Sequence, residues 1–149
     1  MTTAQHVADF LLALADERGE EVNNLKLQKL LYYAQAWHLG RHGVPLFPEK
    51  FQAWSTGPVI PALYWKYKPF SIRHIATHAE PPVFDPAAAL LLREVAGEYL
   101  AIDEYDLASL TYRESPFQNA RGGVDLSEPC EAELSETDMR EQFRQLAAA

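Results

Sequence analysis

NLKLQKLLYYAQAWHLGRHG, residues 24–43, places apolar side chains on nearly every side of a helix. At about 100° per residue, Leu27, Leu30, Leu31, Ala34 and His38 fall on one stripe, and Leu25, Tyr32 and Leu39 cover the flank beside it. Two narrow polar strips remain, Gln28 with Gln35 on one and Lys26, Lys29 and Arg41 along the other. A helix apolar almost all round must be wrapped by other elements. Asn24 is the N-cap candidate, because its side chain can accept from a free amide of the first turn. Gly43 suits the left-handed position just past the end.

The segments on either side read as that wrapping. Before it, Val7, Phe10, Leu11 and Leu14 repeat at helical spacing in a helix of about Thr3 to Arg18, which Gly19 ends. After it, residues 44–48 (VPLFP) form an extended connector, and the alternation from Phe51 to Thr56 predicts a short strand closed by a Gly57-Pro58 turn. Pro61 opens a short helix that Pro69 stops. Residues 70–82 show no clear period, and the Pro81-Pro82 pair marks an exposed loop. Asp85 with Pro86 caps a helix to about Ile102 that buries Leu91, Leu92, Val95 and Tyr99. Another runs from about Tyr105 to Glu114, Ser115-Pro116 starts one more turn through Ala120, and Gly122-Gly123 breaks it. Ser135 with Asp138 forms an S-x-x-D capping pair, and Met139, Phe143 and Leu146 give the last helix one apolar face. No internal repeat is present.

At 149 residues and 48% hydrophobic, the chain is long enough for one core and too short for two ordinary domains. A net charge of −8 argues against a phosphate-binding surface. A basic partner is easier to accommodate. The single cysteine, Cys130, allows no internal disulfide and no cysteine-based zinc cluster. No apolar run reaches membrane-spanning length, and His6, Asp9 and Asp16 interrupt any signal-peptide pattern, so a soluble cytoplasmic protein is expected.

Catalytic motifs with a strong local signal are absent: no P-loop, GxGxxG, GxSxG or HExxH occurs. His38 and His42 are four apart, as are His74 and His78, a spacing that can place two imidazoles on one metal. Neither pair brings a third ligand in sequence, and His38 lies on the apolar stripe, so a core histidine is the simpler reading. No metal and no cofactor are therefore expected. Cys130 sits in an acidic loop, which disfavours its thiolate. The acidic segments 17–21 and 128–136 read as solvated surface, open to a basic partner.

Two stretches carry more specific residues than packing demands. Residues 51–67 (FQAWSTGPVIPALYWKY) crowd two tryptophans, two tyrosines and a Gly-Pro pair together. Such aromatics serve either as core or as an interface rim. Residues 107–121 (LASLTYRESPFQNAR) join two helices through Thr111, Arg113 and Glu114, which capping and surface pairing suffice to explain.

Together with residues 24–39, these blocks resemble the Panacea antitoxin domain, the SocA-like family also known as phage-associated proteins. Leu27, Gln28, Lys29, Leu30, Leu31, Tyr32 and Tyr33 match its KLQKLLYY core. Ala53, Trp54, Gly57, Pro58, Val59 and Tyr64 match its A-W-x-x-G-P-V block, and Leu110, Thr111, Glu114 and Pro116 match the third block. The family commonly shows Thr-His and Pro-Trp where this chain has Tyr112 and Phe117, which keeps aromatic character and loses the imidazole. The resemblance implies a small, mostly helical, non-enzymatic protein that neutralises a toxin encoded in the same operon, in the manner of a type II toxin–antitoxin pair. A branch of the family instead delivers its toxin to the ClpXP protease.

The expectation is one mainly α domain over residues 1–149, with five to six helices around a buried central helix and at most one small β-hairpin. Lys29, Tyr33, Trp54, Tyr64 and Glu114 are the expected partner-binding residues, chosen by family match or as polar positions on apolar elements. The partner is a cognate toxin protein, with no nucleic acid and no membrane. A small metal-dependent hydrolase using the histidines is the alternative from a different class.

Overall fold

A computed structural model of the protein describes residues 2–76 and 80–149. Its elements run α1 (Ala4–Glu17), α2 (Asn24–His42), β1 (Gln52–Trp54), β2 (Gly57–Val59), α3 (Pro61–Tyr67), a 3-10 turn (Lys68–Phe70), α4 (Pro86–Tyr99), α5 (Glu104–Tyr112), α6 (Ser115–Arg121) and α7 (Glu136–Ala148). The fold is mainly α with one hairpin, as expected. Among the described residues there are seven α-helices rather than the expected five to six, because the short α3 and α6 are complete helical turns in their own right.

α2 is the axis. Fourteen of its residues are buried, including Asn24, Lys26, Gln28, Lys29 and Gln35, so the polar strips lie inside the protein except at Arg41, which is exposed at the end of the helix. α7, α4, α5, α1 and the hairpin pack around it. Each buried polar side chain meets backbone of the wrapping. The Gln35 amide donates to Phe47 O at 2.7 Å and its carbonyl accepts from Leu46 N at 2.7 Å, which fixes the connector after α2. Gln28 Oε1 accepts from Ile60 N at 3.0 Å at the entry to α3. Lys26 Nζ donates to Leu100 O at 2.8 Å at the exit from α4. An unpaired buried amide would cost about 1–3 kcal/mol, so these bonds decide which wrapping is tolerated.

Three details differ from expectation. The N-cap of α2 is Asn23, whose side chain accepts from Lys26 N. Asn24 is the first helical residue, and its amide donates to Tyr64 O at 3.0 Å and to no helix end. Gly57-Pro58 does not make the hairpin turn. Ser55 and Thr56 do, and Gly57 and Pro58 belong to β2, paired with Trp54 and Ala53. Gly57 has φ 103, and a Cβ there would stand 2.6 Å from Lys29 Cε and 3.0 Å from Thr111 Oγ1, so glycine is needed both for its backbone and for the approach of strand to helix. Gly43 ends α2 in the left-handed conformation as expected, and Asp85, Pro86 and Ser135 cap and open their helices as read. Leu146 is exposed, so the buried face of α7 is carried by Met139 and Phe143.

β1 is paired on both edges. Besides β2, it receives residues 132–134 through Ala53 N to Ala132 O at 2.8 Å and Leu134 N to Phe51 O at 2.9 Å. No helix among the described residues is long and apolar enough to cross a membrane.

α2 and α7 cross with their backbones nearly touching. A Cβ on Gly40 would lie 2.6 Å from the Phe143 carbonyl carbon and 2.9 Å from Arg144 N, while the Phe143 ring meets Tyr32, Tyr33 and Trp37 edge-on. A methyl facing backbone cannot be relieved by a rotamer change. Gly40→Ala is expected to lower unfolding stability by about 2–3 kcal/mol through overpacking, measured by urea denaturation, whereas Gly97→Ala, which faces open space on α4, should be neutral or mildly stabilising.

Candidate partner-binding face

One turn of α2 carries Lys29, Tyr32 and Tyr33 inward, and the junction between α5 and α6 brings Glu114 against them. Tyr32 Oη donates to Glu114 Oε1 at 2.8 Å and Tyr33 Oη donates to Oε2 at 3.0 Å, so one carboxylate joins two neighbouring phenols. The Tyr33 ring stacks on Tyr99 with centroids 4.0 Å apart, and Tyr99 Oη accepts from Trp37 Nε1. Burial pushes the Glu114 carboxyl up to about 7, against the two phenol donors, which favour its charged form. Burial, and then the Glu114 charge, raise both phenols in turn. Lys29 is fully buried, with Nζ donating to Pro58 O at 3.2 Å, and desolvation pushes its ammonium down to about 7.

Above this interior lies an aromatic surface. Trp54, on β1, touches Tyr64 and Trp65 of α3 with centroids at 4.9 and 6.5 Å, and Tyr64 meets Trp65 at 5.2 Å. Trp54 Nε1 donates to Gln52 Oε1, which holds the indole in place. Trp65 is 62% exposed. Trp54, Trp65 and Pro61 form one wall of an open groove of about 500 Å³, and Pro129, Cys130 and Glu131 form the other. The segment leading into that second wall is clamped by Arg121, which is buried and donates to Ala53 O at 2.7 Å, to Asp125 O and Glu128 O at 2.6 Å each, and to Val124 O at 3.2 Å.

The five expected contact residues thus divide into two groups. Lys29 and Tyr33 are interior, and Glu114 stands half-buried over them. Trp54 and Tyr64 are half-buried at the surface, in ring contact with each other. Lys29 links the groups through its bond to the hairpin carbonyl of Pro58. Two residues of this region were not singled out from the sequence. Trp65 could have been found as the outward position beside Tyr64 on α3. Arg121 carried no local signal, since its acceptors are main-chain carbonyls.

The remaining candidates have local duties. His38 is half-buried at the end of α2, with Nδ1 2.7 Å from Val44 O, so it ties the helix to the connector rather than filling the core. Its ring lies 4.8 Å from that of His42. His74 accepts from Val22 N at 2.8 Å and faces Asp16 at 3.0 Å, which pins it at both nitrogens. His78 lies outside the described residues. Among the described residues no group of three or more His, Cys, Asp or Glu side chains is placed to hold a metal ion. Tyr112 donates to Ser55 O at 2.7 Å, so the departure from histidine at this position supplies a donor to the hairpin turn.

Fold and face together define a small, mainly α-helical domain wound on one buried helix and carrying an aromatic surface. The chain belongs to the SocA-like antitoxin family with its Panacea domain: that family's profile matches residues 27–118. It is also similar to Antitoxin SocA of Caulobacter vibrioides (strain NA1000 / CB15N), 44% identical over 61 residues, which cover 41% of this chain and 32% of that protein. The alignment therefore spans about a third of the relative's length. No solved structure matches the chain.

The buried ionisable groups make stability depend on pH in opposite senses. The folded-state pKa of Glu114 lies above its ordinary 4.5, so folding favours the protonated acid, and that contribution is lost as pH rises from 4.5 to about 7. The folded-state pKa of Lys29 lies below its ordinary 10.5, so folding favours the neutral amine, and that contribution is lost as pH falls from 10.5 to about 7. At about 1.4 kcal/mol per pKa unit, the swing is on the order of 3 kcal/mol for Glu114 and of 5 kcal/mol for Lys29. Urea denaturation across pH 4.5 to 10 should show Glu114→Gln removing the acid-side decline and Lys29→Met removing the alkaline-side rise.

Proposed function

We propose that this chain is an antitoxin that binds a cognate toxin encoded in the same operon and neutralises it by covering the toxin's active surface, in a type II-like pair. It acts as one cytoplasmic domain, by binding and without catalysis of its own. Family membership supports the antitoxin role, and the surface aromatic set of exposed Trp65 with half-buried Trp54 and Tyr64 supports direct contact as its means. That set carries the proposal. Exposed indoles and phenols on a rigid support bury large areas at small entropic cost, which is why they dominate binding hot spots.

Within this reading Trp54 and Tyr64 touch the toxin. Lys29, Tyr33 and Glu114 serve the same interface from beneath, by seating the hairpin and the α5–α6 junction against α2. A toxin that recognises the face meets a surface already ordered, so little is lost on association. Delivery of the bound toxin to a protease such as ClpXP is the second mechanism open to an antitoxin of this family, and it uses the same contact.

Co-expression with the product of the adjacent reading frame tests the proposal, scored first by growth and then by co-purification. Wild type is expected to restore growth and form a stable complex. Trp65→Ala should change stability by no more than ~0.5 kcal/mol because the ring is exposed, yet weaken the complex about tenfold or more. Trp54→Ala and Tyr64→Ala should do the same with the circular dichroism spectrum retained; loss of that spectrum would return both residues to a packing role. Rescue that disappears when the protease is deleted would establish delivery, and a neighbour without toxicity would sink the antitoxin reading.

A further inference from the structure

The groove beside Trp65 has a chemical bias that the neutralisation reading leaves unused. Its one wall carries the indoles of Trp54 and Trp65 with Pro61 beside the neutral polar residues of the hairpin, and its other wall belongs to an acidic stretch of the chain. From Gly122 to Met139 there are six carboxylates, Asp125, Glu128, Glu131, Glu133, Glu136 and Asp138, and no lysine or arginine. Three of the six are engaged: Glu136 with Lys50, Asp138 with Asn119, and Asp125 with Ser127. The side chains of Glu128, Glu131 and Glu133 are exposed and make no ion pair or hydrogen bond among the described residues. Nearby cations are committed elsewhere. Lys66 donates to Gln5 across the α1 side, Lys68 lies over the Tyr64 ring, and Arg121 is spent on main-chain carbonyls.

We propose that the groove receives a cationic segment of the toxin, one in which arginine or lysine alternates with apolar side chains. The inference rests on the neutralisation reading and names the chemistry of its contact. A guanidinium or ammonium entering the groove meets the negative faces of Trp54 and Trp65 and the carboxylate of Glu131, while its methylene stem packs on the indoles. Arginine fits best, because its plane stacks on an aromatic ring while its edge pairs with a carboxylate. Glu128 and Glu133 extend the negative potential along the approach, which speeds encounter and rejects acidic partners. The Arg121 clamp holds the backbone at Glu128, and pairing with β1 holds residues 132–134, so the three free carboxylates are presented rather than recruited.

Cys130 lines the groove and is the sole cysteine of the chain, so its alkylation reports whether the groove is filled. The probe is the purified product of the adjacent reading frame, added to the full chain, with maleimide labelling of Cys130 followed by mass spectrometry. We expect complex formation to slow labelling about tenfold or more. The triple variant Glu128→Lys, Glu131→Lys, Glu133→Lys should weaken binding about tenfold at low salt, with the gap narrowing as salt is raised. An equal charge change at Glu17, Glu20 and Glu21 should leave affinity within about threefold. A complex in which Cys130 labels at its free rate, or which the triple variant forms as tightly as wild type, would overturn the groove assignment and leave neutralisation standing. Absence of any complex would overturn both.

Discussion

A helix buried on all sides leaves its polar side chains no water, and every other element in this protein answers to that constraint. Gln28, Gln35, Lys26, Lys29 and Asn24 project from α2 and each ends on a main-chain group of the wrapping, Gln28 and Asn24 both at α3 and the others on three further segments. Apolar contacts alone would let the wrapping slide along the helix, since hydrophobic burial is non-directional. The amide and amine contacts do not slide. They set the height of the connector after α2, the start of α3, the end of α4 and the seat of the hairpin. Stability arises from burial of the leucines and aromatics, and uniqueness from these few directional bonds.

Much of this was legible in the sequence, because it rests on local chemistry. The all-round apolar helix, its glycine stop, the proline openings of α3 and α4 and the capping serine of α7 each follow from a residue and its immediate neighbours. Where a distant partner decides, the sequence misleads. Asn23 and Asn24 are equivalent as caps until Tyr64 O is seen to claim one of them. Gly57-Pro58 has turn chemistry, yet the glycine is there because Lys29 and Thr111 press on the strand. Lysines read by default as solvated, and Lys26 and Lys29 are buried because carbonyls of α4 and the hairpin wait for them. The aromatic face was half legible: its density is plain from residues 51–67, but the division of the candidates into an interior and a surface group depends on which way each element turns.

The two groups act on different scales. Glu114 and the phenols of Tyr32 and Tyr33 join the first third of the chain to its last third, and they do so with a carboxyl whose pKa burial pushes up to about 7. Trp54, Tyr64 and Trp65 lie at the end of that frame, on a hairpin seated by Lys29 and a short helix seated by Asn24. An aromatic face mounted this way is rigid without being large, which suits recognition of another folded protein.

The Arg121 fan grips the segment from Val124 to Glu128 by its carbonyl oxygens alone. Main-chain acceptors are the same whatever side chain is attached, so the clamp is blind to the identity of the residues it holds. The stretch it anchors lies beyond the portion matched by the family profile, which ends at residue 118. The segment that leads into one wall of the groove can therefore be rewritten, residue by residue, on a backbone that keeps its shape. Divergence of binding preference between related chains would then require no refolding, only new letters on a held line.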